Sequence, residues 1–379
     1  MIKLGIDLLE KNLDLFNGKR VGLITNPTGV NSSLTSTISL LKKHTNLVAL
    51  FSPEHGVRGN IQAGVKLDTY IDEQTCCTVY SLYGDTRKPT KEMLDKIDIL
   101  CIDIQDAGAR FYTYIYTMAY AMMACSEENK EFVVFDRPNP INGVDVEGNI
   151  LDLQYRSFIG YYPIVQRHGM TIGELAKMFN EHFGINCKLH LILMENYNRS
   201  KYYDELSLQW IAPSPNLPSI NSAICYVGTC IFEGTNVSEG RGTTQPFEIV
   251  GAPWIDPYEY ANKLNELNLP GVYFRPLYFT PMFSKHEEQL CGGVQLHILN
   301  RKEFRPVKTG WAMLEIVRKL YPNNFEVLKP YVEGRPCMLE YNTGVGYIKE
   351  GRYRLEEQFA IIEKETKEFN EIRKQYLLY

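Results

Sequence analysis

"IDILCIDIQDAGARFYTYIYTMAYAMMAC", residues 97–125, decides the fold class. It opens on a short apolar, β-branched run (97–104), passes through a polar stretch containing a glycine, and continues with apolar residues at helical spacing (112–125). Strand, loop and helix in that order make the repeating unit of a parallel sheet. Similar strand runs stand at 20–25 ("RVGLIT"), 47–52 ("LVALFS"), 77–82 ("CTVYSL") and 131–136 ("EFVVFD"). Helical periodicity returns at 32–44 and 171–183, and a further strand is predicted at 187–194. Strands that are apolar nearly throughout are covered on both faces. The sequence therefore predicts an α/β fold, a Rossmann-like doubly wound, mostly parallel sheet, with a second, smaller α+β domain. The texture changes near 254, so the boundaries read as 1–250 and 251–379, the second unit closing a cleft against the first. The final stretch, from 355, reads as a solvated amphipathic helix.

The loops after the strands carry the chemistry. "TNPTGVNSS" follows the first, "PEHGVRG" the second, "QDAGARFYTY" the fourth and "RPNPINGVDVEGN" the fifth. Ligands of open parallel sheets bind beyond the carboxyl ends of the strands, so these four loops outline one cleft.

Composition narrows the partners. The 379 residues carry a net charge of −5 without blocks of like charge, which argues against nucleic acid and against a polybasic membrane surface. No apolar run reaches the length of a membrane-spanning helix. Nine cysteines without a CxxC pair, several in strand-like runs (Cys101, Cys225, Cys230), read as buried free thiols. Acidic residues occupy the place of a signal peptide's apolar core. The expected compartment is thus cytoplasmic as written, or periplasmic or secreted if an export signal has been removed. No metal and no cofactor is expected: HExxH, GxSxG, P-loop and dinucleotide glycine patterns are all missing.

Glu54 and His55 sit between Pro53 and Gly56 at the end of a strand. A bare turn is one reading. The other is a partly desolvated carboxyl acting as general acid, with Arg58 opposing that role if it pairs with Glu54. In 103–114, Asp103 reads as a buried hydrogen-bonded carboxylate or a site residue, and Asp106 as a turn former or a second acid. Arg110, Tyr112 and Tyr114 suit a sugar or carboxylate-bearing ligand by pairing and ring packing. Asp136, Arg137 and Asn139 lie between prolines, as a clamp or as ligand contacts. His168 either lines the cleft as a ligand contact or merely precedes a helix that Thr171 and Glu174 mark as a capping box. Ser214 and Asn216 belong to a proline-rich stretch that is either a linker or a ligand contact. Glu233, Asn236, Glu239, Arg241 and Thr243 crowd into a glycine-rich segment that reads as a lid or wall of the cleft.

In order, "TNPTG", "SPEHGVRG", "DIQDAGARFYTY", "DRPNP", "RHGMTIGEL", "SPNLPS" and "EGTNVSEGRGT" resemble the NamZ-like exo-β-N-acetylmuramidases, glycoside hydrolases first catalogued as a domain of unknown function. The resemblance spans almost the whole chain. It implies an active site between a Rossmann-like domain and a smaller one, and release of N-acetylmuramic acid from the non-reducing end of peptidoglycan fragments. It implies that Glu54, the Glu of "PEHG", is catalytic. Glycoside hydrolysis needs an acid and a second group, either a carboxylate or the substrate's acetamido oxygen. The expected set is Glu54 as acid, His55 beside it, and Glu239 or Asp106 as second carboxylate. Arg110 or Arg241 would hold the lactyl carboxylate, with Tyr112 and Tyr114 on the sugar. The rival readings are a muropeptide or sugar-acid binding protein without catalysis, and a metal-dependent hydrolase using Asp103, Asp106, His55 and His168.

Overall fold

The computed structural model describes residues 1–53, 56–59, 69–84 and 86–379. After an N-terminal 3-10 segment, the first half runs β1 (Arg20–Thr25), α1 (Thr37–His44), β2 (Asn46–Ser52), β3 (Tyr70–Ile71), β4 (Thr78–Ser81) and α2 (Lys91–Leu94). It continues with β5 (Ile99–Asp103), α3 (Tyr114–Glu127), β6 (Glu131–Phe135), α4 (Ile172–Glu181), β7 (Lys188–Ile192) and α5 (Ile220–Thr229). The seven strands form one sheet in the order β3-β4-β2-β1-β5-β6-β7, parallel except where β3 pairs with β4. Leaving β3 aside, this is the doubly wound order, with its switch point between β1 and β5. There Val21 pairs with Ile99 and Thr25 with Asp103, which brings the loops after both strands to one edge.

Alternation along the strands supplies two cores. Ile24, Phe51, Leu100, Ile102 and Val134 face α3 and α4. Leu23, Leu50, Ile99, Cys101 and Val133 face the N-terminal segment and α1. α3 is buried on almost every side, as its uniformly apolar sequence requires.

Two elements depart from expectation. α1 starts at Thr37 instead of 32, because the Asn31 side chain accepts the Ser33 and Thr35 N–H groups in a turn and Ser36 caps the helix. The run around Cys225 is a helix, not a strand: Ser219 caps α5, and every residue of it but Asn221 is buried. A helix enclosed on all sides is as continuously apolar as a buried strand. Cys230 begins the 3-10 turn that follows.

The second half comprises β8 (Ile249–Ala252), α6 (Pro257–Asn265), β9 (Val272–Phe279), β10 (Cys291–Ile298), α7 (Pro306–Leu320), α8 (Met338–Thr343), α9 (Tyr347–Glu350) and α10 (Leu355–Arg373). Its sheet is antiparallel, ordered β8-β10-β9. On the outer edge of β9 the Asn265 amide pairs with both the N–H and the C=O of Phe274, and Pro276 follows two residues later. α7 crosses α5 at Gly228 and Gly310, so closely that a Cβ on Gly310 would lie 2.0 Å from the Gly228 carbonyl oxygen. The Glu147 carboxylate caps α7 from the first half, accepting the Val307 and Lys308 N–H groups. α10 is more than a solvated helix: it buries Ile362 and Phe369, and Arg373 at its end donates to the carbonyls of Gly143, Val144 and Gly169.

All nine cysteines are free and all but Cys76 are buried. Among the described residues no helix is long and apolar enough to cross a membrane.

Candidate active site

The loops at the switch point are first knitted to each other. Asp103, at the end of β5, is fully buried and holds Arg137 through Nε–Oδ1 (2.5 Å) and a second guanidinium contact at 2.8 Å. Thr37 donates to the same carboxylate, and Arg137 donates to the Val30 carbonyl. Loops after β1, β5 and β6 are thereby clamped by one buried ion pair. Asp136 does not share in it. Its carboxyl accepts from the Arg137 and Gly173 N–H groups and from the Thr171 and Tyr379 hydroxyls, and burial raises its pKa to about 6. Asn139 donates to the Met170 carbonyl and accepts the Ile141 N–H. Asp136, Arg137 and Asn139 thus spend their polar atoms on the scaffold.

Asp106 accepts the Gly108 N–H at 2.7 Å, the Asx turn its position suggests, and faces His168 Nε2 at 3.2 Å. His168 Nδ1 takes the Met170 N–H, so Nε2 carries the proton and donates to Asp106. Both residues are buried, and among the described residues Asp106 Oδ1 has no hydrogen-bond partner. Arg110 turns away from solvent altogether. Its guanidinium donates to the carbonyls of Asn149, Ile164, Asn342 and Thr343, and burial pulls its pKa down to about 10. It ties the β5 loop to α8 and is not available to a carboxylate ligand.

Beyond this clamp lies an open cleft of about 400 Å³. Part of its aromatic lining is a cluster of Phe111, Tyr112, Tyr114, Tyr226 and Phe247, which meet edge to face with centroids 4.8–6.0 Å apart. Tyr114 donates to the Pro213 carbonyl, and burial pushes the Tyr112 and Tyr226 hydroxyls well up from their ordinary range. Ser214 lines the cleft, whereas Asn216 does not. Met338 and Tyr341 of α8 complete the wall, so both halves of the chain contribute.

Among the described residues the charged lining consists of Arg87, Glu233 and Arg241. Arg241 bonds Glu233 at 2.5 Å and Glu239 at 3.2 Å, and rests over the Phe247 ring. Burial alone would lower its pKa; the two carboxylates outweigh that and raise it. Glu239 stands behind, nearly inaccessible, with Lys285 at 2.8 Å on its other oxygen. Lys285 also donates to the carbonyls of Phe232 and Val237. The chain Lys285–Glu239–Arg241–Glu233 therefore runs from the β9–β10 connection into the cleft. Asn236 and Thr243 shape the same segment: Asn236 bridges Asn324 and Glu326, and Thr243 bonds the Gly240 carbonyl.

Sequence profiles described as "Exo-beta-N-acetylmuramidase NamZ, N-terminal" and "C-terminal" match residues 21–221 and 224–379. The chain belongs to the NamZ family. A peptidoglycan beta-N-acetylmuramidase NamZ of Bacillus subtilis (strain 168) is 49% identical over 384 residues, covering 100% of this chain and 91% of that protein. Two crystal structures of DUF1343 family proteins from Bacteroides fragilis NCTC 9343 cover 100% of this chain and 99% of their own. Their TM-scores are 0.92 and 0.78, at 40% and 32% identity.

Within this NamZ family member most of the expected site residues fall into two groups. Tyr112, Tyr114 and Arg241 meet at the cleft, and Glu239 supports Arg241. Asp106, Arg110, Asp136, Arg137, Asn139 and His168 are buried in the scaffold behind it. Arg58 belongs to neither: it pairs with Asp72 through two contacts of 3.0–3.1 Å, beside a shallow depression near α1. Glu54 and His55 lie outside the described residues. Sequence reasoning missed the loop after β4, which brings Tyr83 and Arg87, and undervalued Glu233. The first omission had an available signal, since that loop also follows a parallel strand.

Proposed function

We propose that this chain is an exo-acting glycoside hydrolase that releases N-acetylmuramic acid from the non-reducing end of peptidoglycan fragments, with Glu54 as general acid. The observation that carries the reading is the full-length relationship, at 49% identity, to a peptidoglycan beta-N-acetylmuramidase. The cleft supports it in size and chemistry. About 400 Å³ suits one or two sugar rings, and aromatic faces with few polar groups are the usual lining of such a pocket.

In this mechanism Glu54 protonates the glycosidic oxygen as the bond to the anomeric carbon lengthens. Among the described residues Glu233, paired with Arg241, is the carboxylate that faces the cleft, and it takes over the second role from Glu239 and Asp106. It stabilises positive charge developing on the ring or activates water. The substrate's acetamido oxygen is the internal alternative for attack at the anomeric carbon.

Glu54→Gln removes the transferable proton at nearly constant shape. Release of chromophore from a β-N-acetylmuramide is expected to fall by about 10²–10⁴-fold in kcat, with the matching glucosaminide as control. Unchanged turnover would remove Glu54 from the acid role. No wild-type release, with muramic acid still bound in calorimetry, would leave a binding protein.

A further inference from the structure

Muramic acid differs from glucosamine by an anionic lactyl group, so a muramidase needs a cation at the cleft that is not already neutralised. Arg110 is enclosed by four carbonyls, and Arg241 is shared between Glu233 and Glu239. Lys285 and Arg241 together balance Glu233 and Glu239, two charges against two. Among the described residues Arg87 is the lining cation left over. It is exposed at the cleft, and among the described residues no carboxylate or carbonyl accepts from it.

What holds Arg87 is an aromatic stack. Its guanidinium carbon lies 4.4 Å from the centroid of Phe158, which itself lines the cleft. Phe158 is stacked on Tyr120 of α3, with centroids 5.8 Å apart and planes 11° from parallel. A guanidinium lying on a ring is fixed in plane while its N–H fork stays free, the arrangement that recognises a carboxylate in two-point fashion.

We infer that Arg87, seated on Phe158, reads the lactyl carboxylate and sets the preference for muramic over glucosamine substrates. This rests on the muramidase reading. It transfers to Arg87 a role that sequence alone gives to Arg110 or Arg241.

The test compares wild type, Arg87→Ala and Arg87→Lys on a chromogenic β-N-acetylmuramide and on the same glycoside with its lactyl group as the methyl ester. Arg87→Ala is expected to raise KM for the acid about 10–100-fold, the loss of one charge-assisted contact, with a much smaller change in kcat. The ester should respond little to the substitution, and Arg87→Lys should recover part of the loss. Equal effects on acid and ester, or none on the acid, would overturn the inference while the muramidase reading stands. Calorimetry with free N-acetylmuramic acid and N-acetylglucosamine separates the two claims from the other side. Wild-type binding of the acid that Arg87→Ala weakens, without any hydrolysis, would keep the inference and remove the enzyme. Neither hydrolysis nor binding by wild type would overturn both.

Discussion

Asp136 and Asp103 stand at equivalent ends of neighbouring strands and meet opposite fates. Asp103 receives a guanidinium, whereas Asp136 receives N–H and O–H donors only, and burial raises its pKa to about 6. A carboxyl whose folded pKa is raised binds its proton more tightly when folded. Its contribution to stability therefore declines as pH rises from about 3.8 to about 6. Asp136→Asn keeps the acceptor for both N–H groups and turns its amide toward two hydroxyls able to accept. Relative to wild type, this variant is expected to gain on the order of 1 kcal/mol between pH 5 and pH 7.5, read from urea unfolding at each pH. A constant difference across that window would refute the assignment. Residue by residue, the sequence marks Asp103, Asp106, Asp136, Arg110 and Arg137 as unusual but cannot say whether a polar group faces a ligand or a carbonyl. That depends on partners far along the chain: Arg110 meets Asn342 and Thr343, and Asp136 meets Tyr379.

Elements were the more legible level. Strands of the parallel sheet are long apolar runs set off by Gly, Pro and Asn, and the period of their neighbours is helical, so both could be read locally. The α5 segment could not, because an enclosed helix loses the polar stripe that betrays its period. Its contact with α7 is set by two glycines. Gly310→Ala places a methyl against the Gly228 carbonyl oxygen, so the helices must part. The expected cost is about 2–3 kcal/mol in unfolding free energy. α5 runs directly into the turn bearing Glu233, so kcat/KM should fall at temperatures where the variant is still folded. Full activity in a variant of normal stability would show that the crossing tolerates the methyl.

At the scale of the molecule, the two halves share one seam. Segment 147–150 of the first half is held by Glu147 at the start of α7 and by Glu365 and Thr366 of α10. Glu147→Ala leaves one buried and one half-buried N–H group of α7 without an acceptor, and a loss of about 2–3 kcal/mol is expected. Wild type should unfold in one transition by calorimetry and by tryptophan fluorescence, and the variant should move both probes together. Two separated transitions in wild type would show that the seam does not couple the halves. None of these contacts could be foreseen, since each joins residues more than a hundred positions apart.

The outer margin of β9 has a bearing on crowding. Tyr273 and Tyr278 project from this strand half-exposed, and a bare strand so furnished invites intermolecular addition. Here the Asn265 amide already occupies the outward N–H and C=O of Phe274. Pro276, of the same parity, has no donor to offer. An incoming chain finds the Phe274 position occupied and no donor at Pro276, so this margin of the small sheet is a poor template for adding a strand when many copies are present at high concentration.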